Sequence, residues 1–155
     1  MSFKLSQRSL DKLEGVHPDM VKCVTSAIGY TTVDFGVICG MRSEAEQREL
    51  VQKGASKTMK SKHLIGHAVD LMAYIQADGK SRASWELNLY DDIADAMAKA
   101  AKEHNVPIKW GAAWSIGNIA QWNSSMEGAM TSYIDLRRSE GRRPFIDGPH
   151  FELIK

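Results

Sequence analysis

One carboxylate constrains the fold of this chain more than any other feature: Asp70 interrupts an otherwise apolar run over residues 68–75. The surrounding pattern predicts a strand over residues 67–75. Because a charge is costly to bury, Asp70 must be paired or bound to a metal ion. Alternation along a strand puts the small Ala68 on the same face as Asp70, which leaves room there for an ion or a substrate. His67 lies on the opposite face, so we do not expect it to share a ligand set with Asp70.

Helices and strands are interspersed along the rest of the chain. Ser43 and Glu46 form a capping box, which indicates that a helix begins there. Apolar periodicity and end signals predict helices over residues 6–13, 18–29, 43–53, 85–104 and 126–138, and further strands over residues 33–39, 108–110 and 149–154. On the long helix, Asp91, Asp92 and Asp95 are expected to form a solvated face.

Several connections between the predicted strands are too short for the helical crossovers of a parallel sheet. We therefore expect an α+β fold with a small antiparallel sheet flanked by helices. A length of 155 residues is typical of one domain, so we expect a single domain over residues 1–155. Residues 111–143 mix Gly, Ser and Trp without a clean period and form a candidate lid or substrate-contact insertion.

Charge and hydropathy exclude several classes of partner. The net charge of +1 gives no global electrostatic case for binding nucleic acid or an anionic membrane. No apolar run is long enough for a signal peptide or a membrane span, so we expect a protein that does not insert into membranes and stays in the cytoplasm where it is made. We also expect a monomer. Cys23 and Cys39 are expected to be free thiols, since two cysteines do not make a disulfide framework.

A second chemical cluster lies near the end of the chain, where Asp147 and His150 flank a rigid Gly-Pro bend. Gly66 can turn the chain so that His63 returns beside Asp70. Two His and one Asp, namely His63, Asp70 and His150, form a three-ligand zinc set on the sheet with a fourth position open to water. The carboxylate of Asp147 can take the proton from that water.

These residues carry a family resemblance. The residues Ser61, His63, Gly66, Ala68 and Asp70 match the SxHxxGxAxD signature of the zinc D-Ala-D-Ala carboxypeptidase and dipeptidase family, and residues 147–150 match its acidic-x-x-His signature. Residues 40–43 with Gln47 resemble that family's YRS…Q segment. Residues 9–18 and 62–71 further resemble phage L-alanyl-D-glutamate peptidases, which are endolysins. The resemblance covers nearly the full chain.

The resemblance implies a role for each matching residue. His63, Asp70 and His150 would bind Zn²⁺, and Asp147 would be the general base and proton shuttle. Arg42 would stabilise the carbonyl oxygen or a substrate carboxylate, and Ser61 and Gln47 would be substrate-side or supporting groups. Many relatives have a Trp-Gly-Gly-Asp-Trp-like segment, whereas residues 110–114 read Trp-Gly-Ala-Ala-Trp. Trp110 and Trp114 could either line a substrate groove or pack in the core.

The activity implied by the resemblance is zinc-dependent cleavage of the L-Ala–D-Glu bond in the stem peptide of bacterial peptidoglycan. The chain would then be a catalytic domain that acts as an antimicrobial phage endolysin, waiting in the host cytoplasm until a holin permeabilises the membrane. A D-Ala-D-Ala carboxypeptidase or dipeptidase is the alternative within enzymes. A zinc-stabilised wall-binding module is the alternative outside them, but a closed structural site has no use for a base such as Asp147.

Overall fold

Asp70 lies in the middle of an antiparallel sheet in the computed structural model, which describes residues 3–56 and 59–154. The α-helices are α1 (Gln7–Lys12), α2 (Pro18–Tyr30), α3 (Glu44–Gln52), α4 (Leu87–His104) and α5 (Met126–Ser139). The strands are β1 (Asp34–Cys39), β2 (Ala68–Ala77), β3 (Lys80–Ser84), β4 (Ile108–Trp110) and β5 (His150–Leu153). Two 3₁₀ helices cover Lys62–Ile65 and Ile119–Gln121.

The strand order is β1-β2-β5-β4, with β3 paired to the far end of β2, and every pairing is antiparallel. This confirms the predicted α+β fold with a small antiparallel sheet flanked by helices. Asp70 is paired with Cys39 on β1 and with His150 on β5. Residues that are paired directly across antiparallel strands project from the same face, so the register alone brings these three side chains together.

The two faces of β2 have different roles. Val69, Leu71 and Ala73 belong to the hydrophobic core, where they pack with residues of α2 and α4 such as Met20 and Ile93. Asp70 lies on the opposite face, away from that core. Burial of the apolar face holds the sheet and the helices together, and it leaves the other face free to carry the polar site.

One hairpin was not predicted from the sequence. The Asp78-Gly79 turn connects β2 to β3, whose exposed sequence Lys-Ser-Arg-Ala-Ser carries no apolar alternation that could have predicted a strand. Its backbone pairing with β2, rather than side-chain burial, defines this strand. At the other end of the chain, residues 126–139 form α5 close to the predicted bounds, and α5 packs against α4 through residues such as Met126 and Ala129.

The expectation of a fully solvated acidic face on α4 is wrong at one position. Asp91 is only 8% exposed, and its Oδ1 has no hydrogen-bond partner among the residues that the structure describes. Asp92 and Asp95 are exposed, and Asp95 Oδ1 accepts the backbone N–H of Met126, 2.7 Å away, at the start of α5. Periodicity did not reveal this burial because it depends on the tertiary packing around α4.

Within the described ranges, no helix combines the length and the apolar character that a membrane crossing requires.

Candidate metal centre

The three predicted metal ligands lie together at the centre of the sheet. His63 Nε2 is 3.3 Å from Asp70 Oδ2, and His150 Nδ1 is 3.1 Å from Asp70 Oδ1. The two imidazole rings are 5.3 Å apart between centroids. Each carboxylate oxygen of Asp70 therefore faces one imidazole nitrogen, although the two histidines are 87 positions apart in sequence (150 − 63).

A tight turn places His63 at this centre. Ser61 caps the short 3₁₀ helix Lys62–Ile65, where its side chain accepts the backbone N–H of His63 at 3.2 Å. Gly66 ends that helix with φ +72°, which is the left-handed region that favours glycine. A Cβ at Gly66 would also lie 2.3 Å from the carbonyl oxygen of Gly15. The turn thus needs glycine both for its conformation and for its close packing.

Each imidazole is oriented by an acceptor on its outer nitrogen. His63 Nδ1 is 2.7 Å from the carbonyl oxygen of Gly40, so Nδ1 donates and Nε2 faces Asp70. His150 Nε2 is 2.8 Å from Glu152 Oε1, so its Nδ1 faces Asp70. Metal-binding histidines are held in this way in proteins. Glu152 was not among the predicted site residues, although its position two residues after His150 puts it on the same face of β5.

The donor atoms fit a divalent metal such as zinc. Asp70, Asp147 and His150 have ligand atoms that all lie within 4.8 Å of one another, and the same is true of Cys39, His63 and Asp70. His63 and His150 thus fall in two clusters that share Asp70. Two imidazole nitrogens and one carboxylate oxygen are the donors found in catalytic zinc sites.

The electrostatics of this centre favour positive charge. Burial by itself raises the pKa of Asp70, but the hydrogen bonds with His150 and His63 outweigh burial and hold that pKa well below its ordinary value. Burial lowers the pKa of both histidines, yet the bonds to Asp70 raise the pKa of His63 to about 10 and that of His150 to about 9. The cluster therefore attracts protons when no metal is bound, and a cation can replace them.

Asp147 is held beside the centre by the bend that precedes β5. Its backbone N–H donates to the carbonyl oxygen of Gly111 at 2.8 Å, and its own carbonyl accepts the N–H of His150 at 3.1 Å. A Cβ at Gly111 would lie 2.3 Å from the carbonyl oxygen of Asp147, so glycine allows this approach. Burial, reinforced by the negative charge of Asp70, raises the pKa of Asp147. Its carboxyl group can therefore hold a proton more readily than an exposed one.

Arg42 lies on the other side of Asp70. Its Nη1 donates to Gln47 Oε1 at 2.6 Å, its Nη2 donates to Cys39 Sγ at 3.3 Å, and Nη2 is 3.9 Å from Asp70 Oδ2. Gln47 is fully buried and donates in turn to Ser56 Oγ at 2.9 Å. Of the two roles predicted for Gln47, direct contact with the substrate is therefore corrected. Gln47 is buried and acts as a supporting group, because its side chain accepts a hydrogen bond from Arg42.

A cleft of about 930 Å³ opens over the centre. Ser61 and Trp114 line it, together with Phe145, which is 61% exposed and stacks on Trp114 at 6.3 Å. The other lining residues that matter here are Arg42, His63, Asp70, Asp147, His150 and Glu152. Phe145 was not among the predicted site residues, since nothing in the local sequence distinguishes it from any other aromatic residue in a loop.

Trp110 does not reach the cleft, and the interpretation of this residue as a substrate contact is corrected. It is fully buried, stacks on Phe151 at 6.3 Å and donates from Nε1 to the carbonyl oxygen of Gly148 at 2.7 Å. Trp110 thereby supports the bend that carries Asp147. Trp114 follows β4 in a turn, where its ring lies 5.8 Å from that of His150.

Comparisons with known proteins show which family model, sequences and fold this chain matches. A family model described as phage L-alanyl-D-glutamate peptidase matches residues 1–154. The L-alanyl-D-glutamate peptidase of Escherichia phage T5 is 29% identical over 99% of this chain and 100% of its own length. That of Listeria phage A118 is 35% identical over 48% of this chain and 24% of its own length. The crystal structure of the Serratia marcescens L-Ala D-Glu endopeptidase ChiX superposes with a TM-score of 0.70 and 35% identity, covering 99% of this chain and 91% of that one.

Proposed function

The chain belongs to the phage L-alanyl-D-glutamate peptidase family, and we propose that it is a zinc-dependent peptidase that hydrolyses the L-Ala–D-Glu bond of peptidoglycan stem peptides. The observation that carries the zinc dependence is the position of Asp70 between two imidazoles, each oriented by a separate acceptor. Asp147 lines the same cleft. A purely structural metal site would not need this additional carboxylate.

His63, Asp70 and His150 are the residues that would hold the metal. Zinc, when bound, supplies Lewis acidity that polarises the scissile carbonyl and lowers the pKa of water toward about 7. Gly40 and Glu152 keep the two imidazoles in the orientation that turns a nitrogen toward Asp70. The same two contacts prevent the rings from rotating away when the histidines are neutral.

In the proposed mechanism, Asp147 transfers a proton from the attacking water to the leaving amine. As the oxygen of water bonds to the carbonyl carbon, a carboxylate oxygen of Asp147 accepts a proton from that water. The C–N bond then breaks, and Asp147 returns the proton to the leaving amine of D-Glu. Its raised pKa suits a group that must hold a proton between these two steps. The guanidinium of Arg42 lines the cleft and donates to the carbonyl oxygen as negative charge develops on it.

Digestion of purified muropeptides tests the proposed bond. Mass spectrometry of the products is expected to show peptides with a new amino-terminal D-Glu and a sugar moiety that ends in L-Ala. Release of free D-Ala without a new amino-terminal D-Glu would instead identify a carboxypeptidase. Stoichiometric binding to the wall without any cleavage would identify a wall-binding module.

The biological role we propose is host lysis by a phage endolysin that acts from the host cytoplasm after a holin opens the membrane. Support comes from the two phage relatives. Expression in a bacterial host is expected to leave the culture intact until the inner membrane is permeabilised chemically, after which the optical density falls. Lysis without permeabilisation would contradict the dependence on a holin, and no lysis in either case would contradict the role.

A further inference from the structure

A bulge in β1 brings a cysteine to the edge of the metal centre. Val37 pairs with Leu71 and Cys39 pairs with Asp70, so Ile38 is an extra residue in β1. Without this bulge the regular register would place the isoleucine opposite Asp70. The bulge therefore turns an apolar side chain away, and Ile38 is 37% exposed, while the thiol of Cys39 projects on the same face as Asp70.

The thiol contacts two residues of the site. Cys39 Sγ accepts the N–H of Arg42 Nη2 at 3.3 Å and lies 3.6 Å from His63 Nδ1. The other guanidinium terminus of Arg42 is held by Gln47 at 2.6 Å. Cys39 and Gln47 thus hold the two ends of one planar guanidinium, at a distance of 3.9 Å from the carboxylate of Asp70.

We propose that Cys39 is a positioning residue that seats the Arg42 guanidinium at the edge of the cleft, where substrate oxygens meet it. The inference rests on the proposed function only in the role of Arg42 toward the substrate. Sulfur is a weak acceptor. It fixes the direction of Nη2 through one N–H and leaves the second N–H of the same nitrogen available for a substrate carbonyl or carboxylate oxygen.

A double-mutant cycle tests this arrangement. Cys39→Ala in the wild-type background is expected to lower kcat/KM by about threefold to tenfold, since one hydrogen bond to a charged donor is lost. In an Arg42→Ala background, Cys39→Ala should cause no further loss, because the residue acts only through Arg42. Cys39→Ser keeps an acceptor at the same place and is expected to recover most of the activity.

Two measurements do not depend on turnover. In the metal-free protein, Cys39→Ala and Arg42→Ala are each expected to lower the Tm. The sum of these two decreases should exceed the decrease in the double variant by roughly 2 °C, because the two residues interact. The Cys39→Ala variant should also keep one zinc per chain after dialysis. The control is Cys23→Ala, a fully buried core thiol remote from the cleft, which should lower the Tm without changing kcat of the folded enzyme.

The outcomes separate this inference from the proposed function. Equal losses from Cys39→Ala in both backgrounds, with additive Tm losses, would overturn the role of Cys39. Loss of zinc in Cys39→Ala would also overturn it and would make Cys39 a metal ligand, as the cluster with His63 and Asp70 allows. If the wild-type protein cleaves no muropeptide, the proposed function fails, while coupled Tm losses would still establish the contact with Arg42.

Discussion

At the scale of single residues, Asp70 is the carboxylate around which the other charged groups of the site are arranged. Its two oxygens face His63 and His150, and a third neighbour, Arg42, adds positive charge at 3.9 Å. A partly buried carboxylate with these neighbours remains ionised, as its lowered pKa indicates. Asp147 lies nearby, but burial and the charge of Asp70 raise its pKa. The opposite pKa shifts of the two carboxylates fit the different roles that we propose for them, one to bind a cation and one to carry a proton.

Removing the proton carrier should separate catalysis from metal binding. Asp147→Ala is expected to lower kcat by about 10²–10⁴-fold, because a general base and acid is lost, while one zinc per chain is retained. Metal analysis after dialysis and muropeptide digestion measure the two properties. A variant that cleaves at the wild-type rate would contradict the assigned role of Asp147.

Removing a ligand should affect both properties together. His63→Ala is expected to lose zinc and activity, since only Asp70 and His150 would remain of the proposed ligand set. The matched control is His104→Ala, at the end of α4, where His104 contacts Ser26 and Glu103 and not the cleft. Stoichiometric zinc in the His63→Ala variant would refute the ligand assignment.

At the scale of elements, local signals predicted what local interactions determine. The capping box of Ser43 and Glu46 forms as predicted, because its hydrogen bonds join residues three positions apart. The sequence could not distinguish the roles of Trp110 and Trp114. In the fold, Trp110 is buried at the end of β4, whereas Trp114 lies in the turn that follows. The role of Cys39 was also missed, because a bulge depends on the pairing of two strands and leaves no pattern in either one.

The bend before β5 gives a prediction at this scale. Gly111→Ala would place a methyl group 2.3 Å from the carbonyl oxygen of Asp147 and 3.0 Å from His150 Cβ. Overpacking of this kind costs about 1–3 kcal/mol and should displace both site residues, so that Tm, zinc affinity and activity all fall. Gly117→Ala is the matched control, since no atom lies within 4 Å of its added Cβ. Unchanged zinc affinity in Gly111→Ala would contradict the role of this bend.

The buried carboxylate on α4 gives a second prediction. Burial, with the charges of Glu127, Asp92 and Asp95, raises the pKa of Asp91 from 3.8 to about 6. Ionising Asp91 therefore destabilises the folded state, and this penalty appears as pH rises from about 4 and is complete above about 6. Asp91→Asn should raise stability at pH 7.5 by at most about 3 kcal/mol, and by little near pH 4. Thermal unfolding at both pH values checks this, with exposed Asp135 on α5 changed to Asn as the control.

At the scale of the whole molecule, the site exists only when distant parts of the chain pair correctly. The turn before β2 supplies His63, the middle strand supplies Asp70, and β5 near the end of the chain supplies His150. The pairing of β2 with β5 therefore also assembles the candidate metal centre. A bound metal should in turn stabilise the fold, because it binds the folded chain and not the separated strands.

Metal removal tests this coupling. A chelator is expected to lower the Tm of the wild-type protein by several degrees, and added zinc should restore it. In the His63→Ala variant the chelator should have almost no effect, since little metal is bound to begin with. An identical Tm of the wild-type protein with and without chelator would contradict the link between the metal and the fold.

The most direct test of the central claim is the metal dependence of muropeptide cleavage. Protein stripped of metal and protein reloaded with one zinc per chain are incubated with the same muropeptides, and the products are identified by mass spectrometry. We predict new amino-terminal D-Glu only from the reloaded protein. The same products at the same rate from the stripped protein, or free D-Ala in place of amino-terminal D-Glu, would contradict a zinc-dependent L-alanyl-D-glutamate peptidase.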